Sequence, residues 1–416
     1  MRAGEELTGD VPPTRAPDGR IASLDLIRGI AILGILAVNI AGFAGPMDAT
    51  VSPAWNGAPS PADETSFLAT FIVFEGKMRG LLSLLFGASM VLLVESAEAR
   101  GRSGDIAQLR RLIWLAVIGY LHFVVLWWGD ILFAYAFAGF FALLLRHLPV
   151  KIMLPLALFA FAIWHGGGMA GSTNAVLADL RYSAGASPPS EASRIAQERK
   201  AVQISADTEL RREKGSWSEL AAYKLTEQTR FPIVGALMGM GETLPMMLIG
   251  MVLYRNGFFT GGWPRRRTML LAGGTLIFGL AGTLALAAMA QASSYAPATM
   301  SAIIVYWAAV PHLAMTLGYA ALLTAVARRL SGGRLARRIE AVGRMALSNY
   351  LGCSLVFTGV FYGWGMDMIG QVPTRWHFIF VLTGWIAMLT WSQWWQARLG
   401  QGPVERLWRN LAKTGN

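Results

Sequence analysis

The sequence predicts an all-α polytopic membrane protein: about ten transmembrane helices, both termini cytoplasmic, and one long outer loop carrying amphipathic helices. Three observations lead there. Of 416 residues, 54% are hydrophobic and 15% charged, and the polar residues are gathered into short blocks between apolar runs long enough to cross a bilayer. The Lys and Arg residues of the short connections fall almost wholly on alternate connections between those runs, the basic residues of the long loop 171 to 229 being the exception that long loops are free to make. Apart from residues 171 to 229, no polar stretch is long enough to supply a soluble domain.

Residues 1 to 20, with three prolines and no apolar periodicity, read as a disordered cytoplasmic tail. The first span covers 22 to 44. Its apolar run is too long for a signal core and has no clear small-x-small cleavage site, so it reads as a retained helix. A second span, 67 to 97, would measure about 46 Å as one helix against a hydrocarbon core of about 30 Å. A break is therefore expected at FEGKMRG, where Gly76 and Gly80 flank three charges near the outer end of the span. Spans at 109 to 128, 130 to 146 and 152 to 170 complete a first half over residues 21 to 170. Residues 171 to 229 mix charges with apolar residues at spacings of three and four, which predicts two amphipathic helices on the outer surface. The second half, 230 to 400, holds spans at 231 to 254, 268 to 290, 301 to 327, 345 to 363 and 376 to 397, and 401 to 416 form a cytoplasmic tail.

Connections on the side of the termini contain twenty-three Lys and Arg residues, whereas the short connections opposite contain only Arg375. The positive-inside rule then puts both termini in the cytoplasm. That distribution also accounts for the net charge of +11 without nucleic acid. Trp127 with Trp128, and Trp394 with Trp395, suit the aromatic belts at the membrane surfaces. The single cysteine, Cys353, lies in an apolar run and reads as a structural thiol, and one chain can form no disulfide framework. Five histidines include no pair at metal-ligand spacing, so no metal site is expected. Phosphate-loop glycine patterns are missing as well. Small residues in GMGETLPMMLIG, 239 to 250, read as helix packing.

Ionisable side chains within a span are costly unless paired or wetted, so each is a candidate for function. They fall into two layers. The inner layer is Asp25, Arg28, Arg344, Ser348 and Asn349; two arginines plus the backbone amides of a helix start suit phosphate groups. Asp25 and Arg28, three apart, can also simply pair. The outer layer is Asn39, Glu75, Lys77, Arg79, His122 and Asp130, with Glu242 between the two. Glu75 and Arg79 are four apart and can share a helical face, whereas Lys77 points elsewhere. If Asp130 or Glu75 accepts one ring proton of His122, the other nitrogen is oriented as a base.

The stretches LDLIRGIAILGILAVNI, GKMRGLLSLLFGASM, LHFVVLWWGDILFAYAFAGF, LPMMLIGMVLYRNGFF, GRMALSNYLGCSLVFTGVFYGWG and GPVERLWR, in order from residue 24 to 409, resemble the YeiB-like family of bacterial inner-membrane proteins. The first span is also similar to that of the heparan-alpha-glucosaminide N-acetyltransferases, which carry a like D-x-x-R-G-I-A and a later V-N. That second resemblance implies transfer of acetyl from cytoplasmic acetyl-CoA across the membrane by a histidine in the loop after the first span. Here the loop keeps Trp55, Asn56 and Gly57 but has no histidine. Either the base has moved, with His122 the leading candidate, or the acyltransfer chemistry is absent.

The expected activity is thus acyl transfer from acetyl-CoA or another acyl-CoA as co-substrate, with no tightly bound cofactor, to an envelope glycan or a small acceptor. His122 is the base, Asp130 its orienting partner, Arg28 and Arg344 the phosphate ligands, and Asn39 with Lys77 the oxyanion donors. The alternative is a secondary transporter with Glu75, Glu242 and Asp130 as a proton relay, for which no internal repeat is evident. The expected partners are the lipid bilayer, the envelope glycan or small-molecule acceptor, and a second copy of the chain in a homo-oligomer.

Overall fold

A computed structural model of the chain describes residues 22–330 and 332–413. The N-terminal tail predicted at 1 to 20 lies outside the described residues. Helix α1 (Ala22–Ala44) is followed by the short α2 (Met47–Val51), α3 (Pro61–Val73), α4 (Lys77–Glu98), α5 (Gly104–Val125), α6 (Leu132–Leu145) and α7 (Val150–Ser183). Then come α8 (Pro189–Glu213), α9 (Trp217–Thr226), α10 (Phe231–Arg255), α11 (Arg265–Ala292) and α12 (Pro297–Ala302), which runs through a π-helical turn, Ile303–Trp307, into α13 (Ala309–Leu330). Last are α14 (Arg334–Arg344), α15 (Ala346–Phe361), α16 (His377–Leu399) and α17 (Pro403–Lys413). The described residues are thus all-helical, and seven of the helical segments are long and apolar enough to cross a membrane.

Each of the ten predicted spans falls on helix, but α6, α15 and α16, which hold the fourth, ninth and tenth, are not among the seven segments long and apolar enough to cross a membrane, and other spans differ in form. The second is broken as its length requires. Gly76, at φ +72°, separates α3 from α4, a backbone conformation open to glycine and costly to other residues. The fifth runs on to Ser183, past its predicted end at 170, because the polar residues that suggested a loop continue the helix and pack: the Asp179 carboxylate accepts hydrogen bonds from the backbone N–H and hydroxyl of Thr299, both at 2.9 Å, and so caps α12. The eighth is interrupted by the π turn. The predicted C-terminal tail contains α17, which docks on α5 through the Trp408 indole N–H donating to the Arg111 carbonyl at 2.9 Å.

Burial sorts the helices. In its most apolar stretch α1 is 72% buried and α11 only 17%, so α1 is central and α11 belongs to the rim. The centre is tight. Gly29 of α1 faces the Ile339 carbonyl of α14, and Gly343 of α14 faces the Asp25 carbonyl of α1; a Cβ on either would overlap that backbone. Gly250 meets the Leu84 backbone in the same way, so the glycine closing GMGETLPMMLIG does serve packing between α10 and α4. Gly343→Val is expected to destabilise the protein by about 1–3 kcal/mol through overpacking. Thermal unfolding in detergent measures it, and an unchanged midpoint would contradict the close approach.

The segment predicted as a long loop forms the two expected helices, α8 and α9, and it seals the end of α5. The Trp217 indole N–H donates to the Val125 carbonyl at 2.8 Å, and Lys224 Nζ to the Leu126 carbonyl at 3.5 Å. Glu213 is buried where the segment meets the end of α15. Tyr362 donates its hydroxyl proton to one carboxyl oxygen at 2.9 Å, and the other oxygen has no partner among the described residues. Burial, then the neighbouring Glu209, pushes Glu213 well above the usual carboxylate range, and burial pulls Lys224 down to about 8. A raised carboxyl contributes stability that is complete below its ordinary value near 4.5 and is lost as pH rises through the elevated one. Lys224 has the opposite slope: its contribution is present above its ordinary 10.5 and lost as pH falls through about 8. Glu213→Gln is expected to remove the first dependence. Hydrogen-exchange protection across α8 and α9, taken relative to the intrinsic rate at each pH, should then no longer fall as pH rises toward neutrality, and a variant that matches wild type would refute the assignment.

Candidate functional site

A cavity of about 610 Å³ opens among α1, α4, α5, α6 and α14 to α17. Arg28, Arg111, Arg344 and Arg409 line it, with Ser89, Gln108, Gln396 and Gln401 as neutral polar neighbours. Further in, the walls are Ile32, Leu82, Leu85, Phe86, Met90 and Leu115, and Tyr135 and Tyr350 stand at the inner end. The order follows from helix geometry: Ile32 is about 6 Å beyond Arg28 along α1, and Tyr350 about 6 Å beyond the lining residue Ala346 along α15.

Three of the four arginines are held in place rather than waving in solvent. Arg28 donates to Asp25 at 3.0 Å and to the Ser89 hydroxyl at 2.9 Å. Arg344 donates from Nε to Gln396 at 2.7 Å and lies 3.6 Å from Glu340. The Arg111 guanidinium stacks over the Trp408 ring, 4.1 Å from its centroid. A planar guanidinium fixed along one edge keeps its remaining N–H groups for an incoming anion.

The expected helix-start cradle is already filled. Glu405, from α17, accepts the backbone N–H of Leu347 at 2.8 Å and of Ser348 at 3.0 Å, and the Ser348 hydroxyl donates to its other oxygen. A carboxylate of the chain itself thus occupies the amides expected to receive phosphate, and its charge is balanced by the positive end of α15. Asn349 points away from the cavity. It donates to Val342 O and to Ser392, and accepts from the Trp391 indole, which ties α14, α15 and α16 together.

Beyond Tyr350 lies a buried relay. The Tyr350 hydroxyl donates to the Gly129 carbonyl at 3.0 Å and accepts the Ile131 N–H at 3.2 Å, and its ring centroid is 5.1 Å from that of His122. His122 Nδ1 lies 2.9 Å from Asp130 Oδ1, and Nε2 lies 2.8 Å from Ser354 Oγ. Asp130 is itself pinned, because its other oxygen accepts the Phe133 N–H at 2.7 Å at the start of α6. With Asp130 ionised, Nδ1 carries the ring proton and Nε2 accepts from the serine hydroxyl. All three side chains are almost wholly buried.

The other outer-layer residues divide. Asn39 lines a void of about 10 Å³ together with Ser354, Ile32 and Tyr350, and its carboxamide has no hydrogen-bond partner among the described residues. Lys77 lines neither cavity: it is fully buried, donates to the Phe71 carbonyl at 2.7 Å and sits 5.3 Å from that ring's centroid. Arg79 lies between two carboxylates, 2.9 Å from Glu242 and 3.8 Å from Glu75. Arg79→Ala is expected to cost about 1–3 kcal/mol by stranding Glu242, and Glu242→Gln in the same chain should recover part of it. Equal unfolding midpoints for the single and double variants would show that the pair is not coupled.

Ser354 was not among the sequence-derived candidates. A serine in an apolar helix ordinarily bonds back to the carbonyl four residues earlier, and Ser354 is 3.3 Å from Tyr350 O. Only the crossing of α15 with α5, distant in sequence, brings the imidazole nearer still. Arg111 and Arg409 were hidden for another reason: they counted among the basic residues of the connections, and nothing local distinguishes them.

An all-helical, multi-pass membrane protein with an arginine-lined cavity leading to a buried Ser·His·Asp arrangement is the class these features define. A family model described as a protein of unknown function, DUF418, matches residues 253–414. The chain is 30% identical over 405 residues to the uncharacterized protein YeiB of Escherichia coli (strain K12), covering 94% of this chain and 96% of that one. It is 25% identical over 414 residues to the uncharacterized YxaH of Bacillus subtilis (strain 168), 94% of each chain. It is also 36% identical over 124 residues, 30% of this chain and 33% of the other, to an uncharacterized 39.9 kDa protein from the amylase 3′ region of Bacillus acidopullulyticus. No solved structure matches. The chain belongs to the DUF418 family that includes YeiB.

Proposed function

We propose that the protein is an acyltransferase embedded in the bacterial inner membrane, taking an acyl group, acetyl in the simplest case, from a cytoplasmic coenzyme A thioester to an envelope glycan or a small amine or alcohol. The observation that carries this reading is one cavity running from four arginines, along apolar walls, to Tyr350, whose ring packs against His122 of the buried His122·Asp130 pair on its far side. A coenzyme A thioester has that order of groups: phosphates, a flexible linker, and an acyl carbon that needs a base near it. The cavity volume lies within the roughly 300–1,000 Å³ usual for ligand sites.

In this reading Arg28, Arg111, Arg344 and Arg409 hold phosphate oxygens. The apolar walls take the linker and keep water from the thioester, and His122, oriented by Asp130, moves the proton that the acceptor loses. The termini and the arginine end face the cytoplasm, where coenzyme A is found, as the basic connections require. Burial of the relay suits chemistry that competes with hydrolysis.

The test is binding of coenzyme A and acetyl-CoA to the full-length protein in detergent, followed by calorimetry. A dissociation constant in the micromolar range supports the reading. Absence of binding, together with proton-coupled solute flux in liposomes that is lost in Glu242→Gln, would replace it with a transporter.

A further inference from the structure

We infer that Ser354 is the nucleophile of this site and carries the acyl group as a serine ester between donor and acceptor. The inference rests on the acyltransferase reading and deepens it: transfer becomes two displacements on one residue instead of one direct attack by the acceptor.

The argument starts from occupancy. Both nitrogens of His122 are engaged, Nδ1 by Asp130 at 2.9 Å and Nε2 by Ser354 at 2.8 Å. An acceptor could use Nε2 as a base only after displacing the serine. The hydroxyl that His122 is already placed to deprotonate is Ser354's own. Serine, imidazole and carboxylate thus stand in the order of a nucleophile, its base and the base's orienting group, within hydrogen-bond reach at each step.

Ser354 also has a space in front of it. It lines the void of about 10 Å³ with Asn39, Ile32, Tyr350 and Cys353, about the space of one water molecule, which a turned Ile32 side chain would enlarge. Ile32 and Tyr350 line the arginine cavity too. They form the partition between the two spaces. Tyr350 is fixed by two hydrogen bonds, so Ile32, which makes none through its side chain, is the residue that turns to admit the acyl carbon. The Asn39 carboxamide, without a partner among the described residues, supplies an N–H to the carbonyl oxygen as it gains charge.

The two steps balance. Ser354 Oγ attacks the thioester carbonyl carbon as its proton passes to His122 Nε2; the C–S bond breaks, and the sulfur takes that proton and leaves as the free thiol. The acceptor hydroxyl or amine then attacks the ester carbonyl and gives its proton to Nε2. The C–O bond to Ser354 breaks and the proton returns to Oγ. No oxidant or reductant enters.

The experiment incubates full-length protein with radiolabelled acetyl-CoA and no acceptor, then maps the label by peptide mass spectrometry. The expected result is label on Ser354, stable to neutral hydroxylamine, lost in Ser354→Ala and in His122→Gln while coenzyme A binding is kept. Retained binding shows that the variants fold. Ser354→Cys should carry the label as a hydroxylamine-sensitive thioester. Product formation at the wild-type rate by Ser354→Ala, or label on another residue, would overturn the inference and leave the acyltransferase reading intact. Conversely, p-nitrophenyl acetate, a small acetyl donor that needs no arginines, should acetylate Ser354 even if coenzyme A does not bind, in which case only the donor assignment fails. No labelling from either donor overturns the nucleophile.

Discussion

Acyl transfer by His122→Ala is expected to fall about 10²- to 10⁴-fold, the usual worth of a positioned acid–base group, with coenzyme A affinity unchanged. The separation of the two quantities is what makes the result diagnostic. His122 does not line the arginine cavity; it is separated from it by Tyr350, so removing the ring deletes proton transfer and leaves the anion site alone. The substitution has a structural side as well. It strands one oxygen of Asp130 in a buried setting, at a cost of about 1–3 kcal/mol, while the Ser354 hydroxyl falls back on the Tyr350 carbonyl, so some loss of thermal stability should accompany the loss of rate. Asp130→Asn resolves the two. It keeps the shape and the capping contact with the Phe133 N–H, but an amide N–H facing Nδ1 favours the tautomer whose Nε2 carries the proton and cannot accept one. The rate should fall while the unfolding midpoint stays close to wild type. Transfer undiminished in both variants would remove His122 from the mechanism.

The same site shows what a chain reveals on its own and what only packing reveals. His122 and Asp130 were legible as a pair because they sit eight residues apart around a turn, and local geometry nearly dictates their meeting. Arg28 and Arg344 were legible because a charge inside an apolar run is conspicuous whatever its partner. Both indeed line the cavity. Ser348 and Asn349 were equally conspicuous, yet their partners, Glu405 and Ser392, come from helices far along the chain and claim their hydrogen-bonding groups. Lys77 illustrates the same limit. Its placement opposite Glu75 and Arg79 followed from the 3.6-residue period, but the backbone carbonyl and phenyl ring of Phe71, six residues earlier in α3, satisfy it, not a cavity. The fold was more readable than the site. Span position depends on hydropathy summed over many residues, whereas a hydrogen bond depends on one distance.

Loss of any one cavity arginine is expected to weaken coenzyme A binding about 10- to 100-fold. Each charge-assisted hydrogen bond contributes about 1.5–3 kcal/mol, and about 1.4 kcal/mol is a factor of ten. The largest effect should come from Arg28→Ala and Arg344→Ala, because each guanidinium is fixed beside the cavity by two side chains, Asp25 and Ser89 for Arg28 and Glu340 and Gln396 for Arg344, with N–H groups left for phosphate. Arg111→Ala acts partly through structure, since its ring contact with Trp408 also secures α17, and its effect should include faster hydrogen exchange in that helix. Salt separates charge from packing: binding to wild type should weaken as ionic strength rises, and the dependence should shrink with each arginine removed. A pantetheine thioester, which lacks the nucleotide and its phosphates, supplies the control. It should bind weakly to every variant and to wild type alike, and be transferred at a rate set by His122 and not by the arginines. If instead Arg28→Ala depressed pantetheine transfer as much as coenzyme A binding, the arginines would be holding α1 in register beside the relay and not reading phosphate at all.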